Sequence, residues 1–248
     1  MLSYDKLCTL FYEADNKQFP PGALDYYRKV LREVDGPILE AMSGSGRFLI
    51  PFLKEGFDID GADASPSMLA AAREKCEADG LHPLMVETRL DEMAMPRKYK
   101  LIVCVASSIS LIVDKQEFRR VMTKFLDHLE RGGRLVMEVP TPNGAMTRNN
   151  EVFGRWVDLD ETRRILLTMV SKYDRRSETS RMIDKYELYD GSRLIDSELE
   201  IIDQRYWRID DLKSELHEAD FTGAKALKPW RNELAAPDEP VVVFDCMK

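Results

Sequence analysis

Up to Pro140 the apolar positions switch between helical and strand spacing, and the switches predict alternating elements. Leu7, Leu10, Phe11 and Ala14 repeat at helical intervals, as do Leu24, Tyr27 and Leu31, so residues 3–34 read as two helices broken at Pro20, Pro21 and Gly22. Ile38 and Leu39 start a short buried strand, 48–54 reads as a helix stopped at Gly56, and a second strand closes at Asp63. Ser65 is placed to cap free amides, Pro66 suits a first helical position, and Gly80 ends that helix. A third strand is expected at 84–86. The continuous apolar run 101–105 fits a central parallel strand covered on both faces. Asp114 and Glu117 resemble a capping box for a helix with Phe118, Val121, Met122, Phe125 and Leu129 on one face, expected to end at Gly132 and Gly133. A strand at 135–139 then stops at Pro140.

Beyond residue 150 the pattern changes. Runs at 165–173, 182–189 and 194–207, rich in branched and aromatic residues and separated by polar turns, predict an antiparallel meander. A helix at 210–219 and an antiparallel pair of strands at 223–227 and 241–244 finish the chain. The expected division is an N-terminal helical cap (1–36), a nucleotide-binding core (37–150), a β insertion (151–207) and a closing helix with the last two strands (208–248).

Composition narrows the function classes. The 248 residues are 44% apolar and 32% charged, as in a globular protein, and the net charge of −8 argues against general nucleic-acid binding, which needs clustered Lys and Arg. No apolar run reaches the ~20 residues of a membrane span, and the acidic N-terminal stretch does not resemble a secretory signal, so a cytoplasmic protein is expected. Cys8, Cys76, Cys104 and Cys246 are far apart, as are His82, His128 and His217. Neither a disulfide framework nor a metal site is indicated, and Cys104 reads as a core thiol.

The candidate chemistry is concentrated between Pro37 and Asp63. Gly44 and Gly46 permit positive φ and leave no Cβ between main chain and ligand. Asp63 follows Gly46 by 17 residues, close to the offset at which a carboxylate ends a second strand and binds ribose hydroxyls. The third glycine of the dinucleotide fingerprint would fall at Leu49, which disfavours an NAD-linked oxidoreductase. Glu40 puts negative charge at the end of the first strand, unsuited to phosphate and suited to a cation.

Glu40-x-Met42-x-Gly44-x-Gly46, followed by Asp63-Ala64-Ser65-Pro66-Ser67-Met68-Leu69, resembles motif I and the acidic loop of class I S-adenosylmethionine (SAM) dependent methyltransferases, most strongly over 38–133. The resemblance implies an α/β fold: a doubly wound, Rossmann-like, seven-stranded sheet with helices on both faces and an antiparallel insertion after the fifth strand. It also implies SAM as cofactor, leaving as S-adenosylhomocysteine (SAH). The amino-acid moiety would lie over Glu40, Met42, Ser43, Gly44 and Gly46, the ribose on Asp63 and Ala64, and adenine near Met68 and Leu90. Met42 stands where glycine or alanine is usual. Arg89 falls where the family often has an Asp that accepts from the adenine amine; arginine cannot accept, which leaves main chain near Leu90, Asp91 or water. Tyr12 suits either helix packing or a place beside SAM. Ala106, Ser107 and Ser108, after the central strand, lie where methyl donor and acceptor should meet. As in amino-sugar N-methyltransferases, the insertion would cover a small-molecule acceptor, with Trp156, Tyr173, Tyr186, Arg205 and Tyr206 as lining candidates, or serve a homodimer contact. Trp230 is a further candidate. No general base is singled out among Tyr12, Ser107 and Tyr206, so N- and O-transfer both stay open. A SAM-binding regulator without turnover is the alternative from another class.

Overall fold

A computed structural model describes residues 4–15, 19–145 and 151–248; the expected boundary at residue 150 lies outside them. Helices α1 (Lys6–Asp15) and α2 (Ala23–Arg32) precede β1 (Ile38–Ala41), α3 (Leu49–Lys54), β2 (Ile59–Asp63), α4 (Pro66–Ala78), β3 (Met85–Glu87), β4 (Tyr99–Cys104), α5 (Lys115–His128) and β5 (Leu129–Pro140). A short helical turn, α6 (Pro142–Ala145), leads on to four strands: β6 (Val152–Asp158), β7 (Arg163–Asp174), β8 (Thr179–Asp190) and β9 (Arg193–Arg205). Helix α7 (Ile209–Glu218), β10 (Thr222–Leu227) and β11 (Val241–Met247) follow.

Seven strands form one sheet in the order β10-β11-β5-β4-β1-β2-β3, all running the same way except β11, which is antiparallel to both its neighbours. Successive residues of β4 serve opposite faces, as pleating requires. Leu101, Val103 and Val105 pack with Tyr27, Leu31, Phe48 and Phe52 from the α2 and α3 side, while Ile102 and Cys104 pack with Phe118, Val121, Phe125, Leu212 and Leu216 from α5 and α7. Both faces are therefore covered, the burial expected of a parallel sheet. The reversal of strand order beside β1 leaves a crevice at the carboxyl ends of the strands.

Two sequence expectations need correction. Gly132 and Gly133 do not end α5: the helix stops at His128, Leu129 pairs with Tyr99, and residues 130–133 bulge out before pairing resumes at Arg134 opposite Leu101. Gly132, at φ 70°, serves that bulge. The insertion has four strands, not three, because β6, an edge strand with nearly every residue exposed, lacks a buried alternation to betray it.

Helix α1 docks on the inner face of this second sheet. Leu7, Cys8 and Phe11 bury against Ile165, Leu167 and Tyr186, and the free amides of Leu7 and Cys8 donate to the Glu198 carboxylate at 2.8 and 3.0 Å. A distant strand thus caps the first turn of α1. Ser65 joins α1 to the core sheet: its hydroxyl donates to the Tyr4 carbonyl at 2.8 Å and accepts from Met68 N–H at 3.2 Å, as the N-cap of α4.

Candidate active site

The loop after β1 takes positive φ at alternate residues, Met42 (59°), Gly44 (52°) and Gly46 (75°). Its turn is closed by Ser43 N–H to Ala62 carbonyl and Gly46 N–H to Ser43 carbonyl, both 3.0 Å. The two glycines serve different ends. A Cβ on Gly44 would meet no atom within 4 Å, so the loop is bare on the side where a ligand can lie; a Cβ on Gly46 would sit 3.0 Å from Ile50 Cδ1 and 3.4 Å from Ala72 Cβ, so that glycine lets the loop pack on α3 and α4. Met42 holds a left-handed conformation that costs a non-glycine residue roughly 1–2 kcal/mol, with its side chain against the core.

A cavity of about 280 Å³ opens above this loop. Glu40, Met42, Ser43, Gly44, Asp63, Ala64, Met68, Arg89, Leu90 and Ala106 line it, together with Tyr12 from α1 and Tyr4 just before it. The Asp63 carboxylate accepts from Gly44 N–H at 2.7 Å and Ser65 N–H at 2.8 Å, which orients it and leaves lone pairs for further donors. Glu40 is fully buried and accepts from Leu49 N–H, while its Oε2 has no partner among the described residues. Burial raises both carboxyls above the usual range, Glu40 far more, with the Asp63 charge adding to it. An orphaned buried carboxylate oxygen in a cleft suits a cationic ligand.

At the other end of the cavity stands a group that the pattern reading passed over. Glu138, in β5, is 6% exposed; its carboxylate accepts from the Tyr27 hydroxyl, from Trp230 Nε1–H at 3.1 Å and from Ala106 N–H. Burial raises its pKa and these donors oppose the rise. Ala106 and Ser107 both hold φ near 55–58°, a strained turn of the kind that collects at functional sites. Phe19, Tyr27, Arg47 and Trp230 complete this end. Arg47 stacks 4.6 Å from the Phe19 centroid and bonds the Tyr12 hydroxyl. The available signal was a lone charge in the apolar run LVMEVP, at the carboxyl end of a parallel strand.

Other candidates lie off the cavity. Gly46 is absent from its wall for the packing reason above. Asp91 is ion-paired with Arg89 at 3.2 Å and Arg120 at 3.4 Å, and Arg89 pairs also with Glu117, which fixes it at the rim. Ser107 turns away while Ser108 lines the wall. Trp156 is exposed on the outer face of the insertion; the Arg205 guanidinium donates to the Val113 carbonyl; Tyr206 packs edge-on with Tyr173. Tyr186 is buried under α1 against Phe11. Among the described residues, none of the insertion's own lines the cavity; it borders the wall through α1 and through the turn at 108–113, to which Arg205 donates.

The sheet order is that of the class I methyltransferase fold, and residues 38–133 match the family model for a methyltransferase domain. A glycine/sarcosine N-methyltransferase of Halorhodospira halochloris is 26% identical over 157 residues, 62% of this chain and 56% of the relative. A dTDP-3-amino-3,4,6-trideoxy-alpha-D-glucopyranose N,N-dimethyltransferase of Streptomyces venezuelae is 28% identical over 131 residues, 52% of this chain and 54% of the relative. The chain thus spans about half the length of the curated relatives it matches. A SAM-dependent methyltransferase from Clostridium acetobutylicum shares the fold, with a TM-score of 0.80 over 95% of each chain at 18% identity. No helix among the described residues is long and apolar enough to cross a membrane.

Proposed function

We propose that this protein is a SAM-dependent methyltransferase that acts on the amine of a small molecule. The observation that carries the reading is the convergence of Glu40, Gly44 and Asp63 on one cavity whose far end holds Glu138. Asp63 and Ala64 would hold the ribose hydroxyls, Met68 and Leu90 would flank the base, and Glu40 would face the positive charge. When bound, SAM supplies a methyl group made electrophilic by its sulfonium. The chain's task is then to align an acceptor, and such orientation is worth roughly 7–11 kcal/mol. Tyr12 from α1 and Tyr4 just before it close the cavity, so the insertion serves as a cover indirectly, by holding that segment. Curated relatives named for amine methylation favour nitrogen over oxygen as the acceptor atom.

The test is transfer of labelled methyl from SAM to a panel of glycine, sarcosine and nucleotide-linked amino sugars. Labelled product from at least one amine is expected; no labelled product across the panel, with SAM bound, would favour a binding protein without turnover. We also infer a homodimer through the outer face of the insertion.

A further inference from the structure

The cavity follows the strand order of the sheet. Asp63 ends β2, Glu40 lies in β1, Val105 and Ala106 follow β4, and Glu138 is in β5. Neighbouring strands stand ~4.8 Å apart, so Glu138 is two strands, roughly 10 Å, beyond Glu40 along the cleft. That is the side away from the ribose carboxylate. Its surroundings are aromatic, with Phe19, Tyr27 and Trp230, the Arg47 guanidinium stands near enough to favour its charged form, and it is the carboxylate on this part of the wall.

We propose that Glu138 is the residue that receives the acceptor: it binds the incoming amine as an ammonium ion and takes its proton at a carboxylate oxygen. This rests on the methyltransferase reading of the same cavity. An amine is protonated in neutral water, and only its free lone pair can attack a carbon. In the step assigned to Glu138 one N–H bond breaks, an O–H bond forms on the carboxylate, the electron pair stays on nitrogen, and the proton later returns to water. Three donors already hold the carboxylate, out of about four acceptor positions, so it is fixed in direction and has capacity for one more. A purely structural tie between α2, the loop after β4 and the β10–β11 connection would need no charge, since a glutamine oxygen accepts from a hydroxyl, an indole and an amide. The aromatic rings suit an acceptor whose body is apolar or a sugar ring.

Sinefungin tests this without knowledge of the acceptor. It is the SAM analogue in which an amine-bearing carbon replaces the methylated sulfur, so it carries an ammonium where the transferable methyl would be. Sinefungin and SAH are titrated calorimetrically into wild type and Glu138→Gln. A charge-assisted hydrogen bond lost in this way lowers affinity by at least about tenfold. The expected result is that loss for sinefungin, with SAH affinity changed less than about twofold, below the loss of even a weak neutral hydrogen bond. Equal changes for both ligands, or none, would overturn the assignment and leave Glu138 a structural tie. Should the substitution unfold the chain, a crystal structure of wild type with sinefungin decides: the added nitrogen within hydrogen-bond distance of Glu138 is expected, and that nitrogen bonded elsewhere is the contrary result. Wild type that binds neither ligand would instead contradict the methyltransferase reading itself.

Discussion

Glu40 and Asp63 share one buried wall, and burial together with the Asp63 charge makes Glu40 harder to ionise. A sulfonium brought beside them reverses that balance, because a nearby cation favours the charged form. Cation binding should therefore release protons, and SAM affinity should rise with pH through the range in which Glu40 ionises. SAH carries one positive charge fewer and should release fewer. Titration in buffers of different ionisation enthalpy measures this; equal proton release for the two ligands would contradict the place given to Glu40. Glu40, Gly44 and Asp63 stood out in the sequence, and the family resemblance added Met68, because each sits at a fixed offset in a local strand–loop–helix unit; all four line the cavity. Glu138 and Arg47 escaped because their partners, Tyr27, Trp230, Phe19 and Tyr12, are distant in sequence, and local periodicity carries nothing about such contacts.

At the scale of elements, the clasp between α1 and the insertion is unusual in being built on acidic side chains. Asp184 and Glu200 face each other across β8 and β9, both buried beneath α1, and Asp184 Oδ1 has no hydrogen-bond partner among the described residues. Burial, with a smaller contribution from Glu200, pushes the Asp184 carboxyl up to about 6. The folded pKa lies above the unfolded value of roughly 3.9, so this group favours the fold fully below the unfolded pKa, and that contribution is lost as pH rises through about 6. Asp184→Asn removes the ionisation, and thermal melts should show a larger gain over wild type at alkaline pH than at acidic pH, about 2–4 °C for each kcal/mol recovered. A gain independent of pH would contradict the clasp as described. Periodicity supplied the helices and parallel strands, whose buried faces are wide. It did not supply β6, an exposed edge, or the bulge at 130–133, where glycine marks a strand irregularity as readily as a helix end.

Over the whole molecule, the parallel topology was readable because alternating βα units admit few arrangements, while the seat of α1 on the insertion was not. The outer face of that sheet carries an exposed row, one residue from each strand: Val152, Val170, Ile183 and Ile201, with Leu199 and Trp156 on the same side. An apolar row this continuous is the kind of patch that marks an interface. Sedimentation should find a dimer, and Ile183→Lys, at the centre of the row, should yield folded monomer; a wild type that sediments as a monomer would refute this use of the face. The claim on which the rest depends is that the cleft over Gly44 holds SAM, and calorimetric titration of SAH into wild type and Asp63→Ala tests it most directly. Saturable binding by wild type, weakened at least about tenfold in the variant through loss of hydrogen bonds to a charged group, is the expected result. No heat from wild type at high micromolar ligand, or equal affinity in the two proteins, would contradict it.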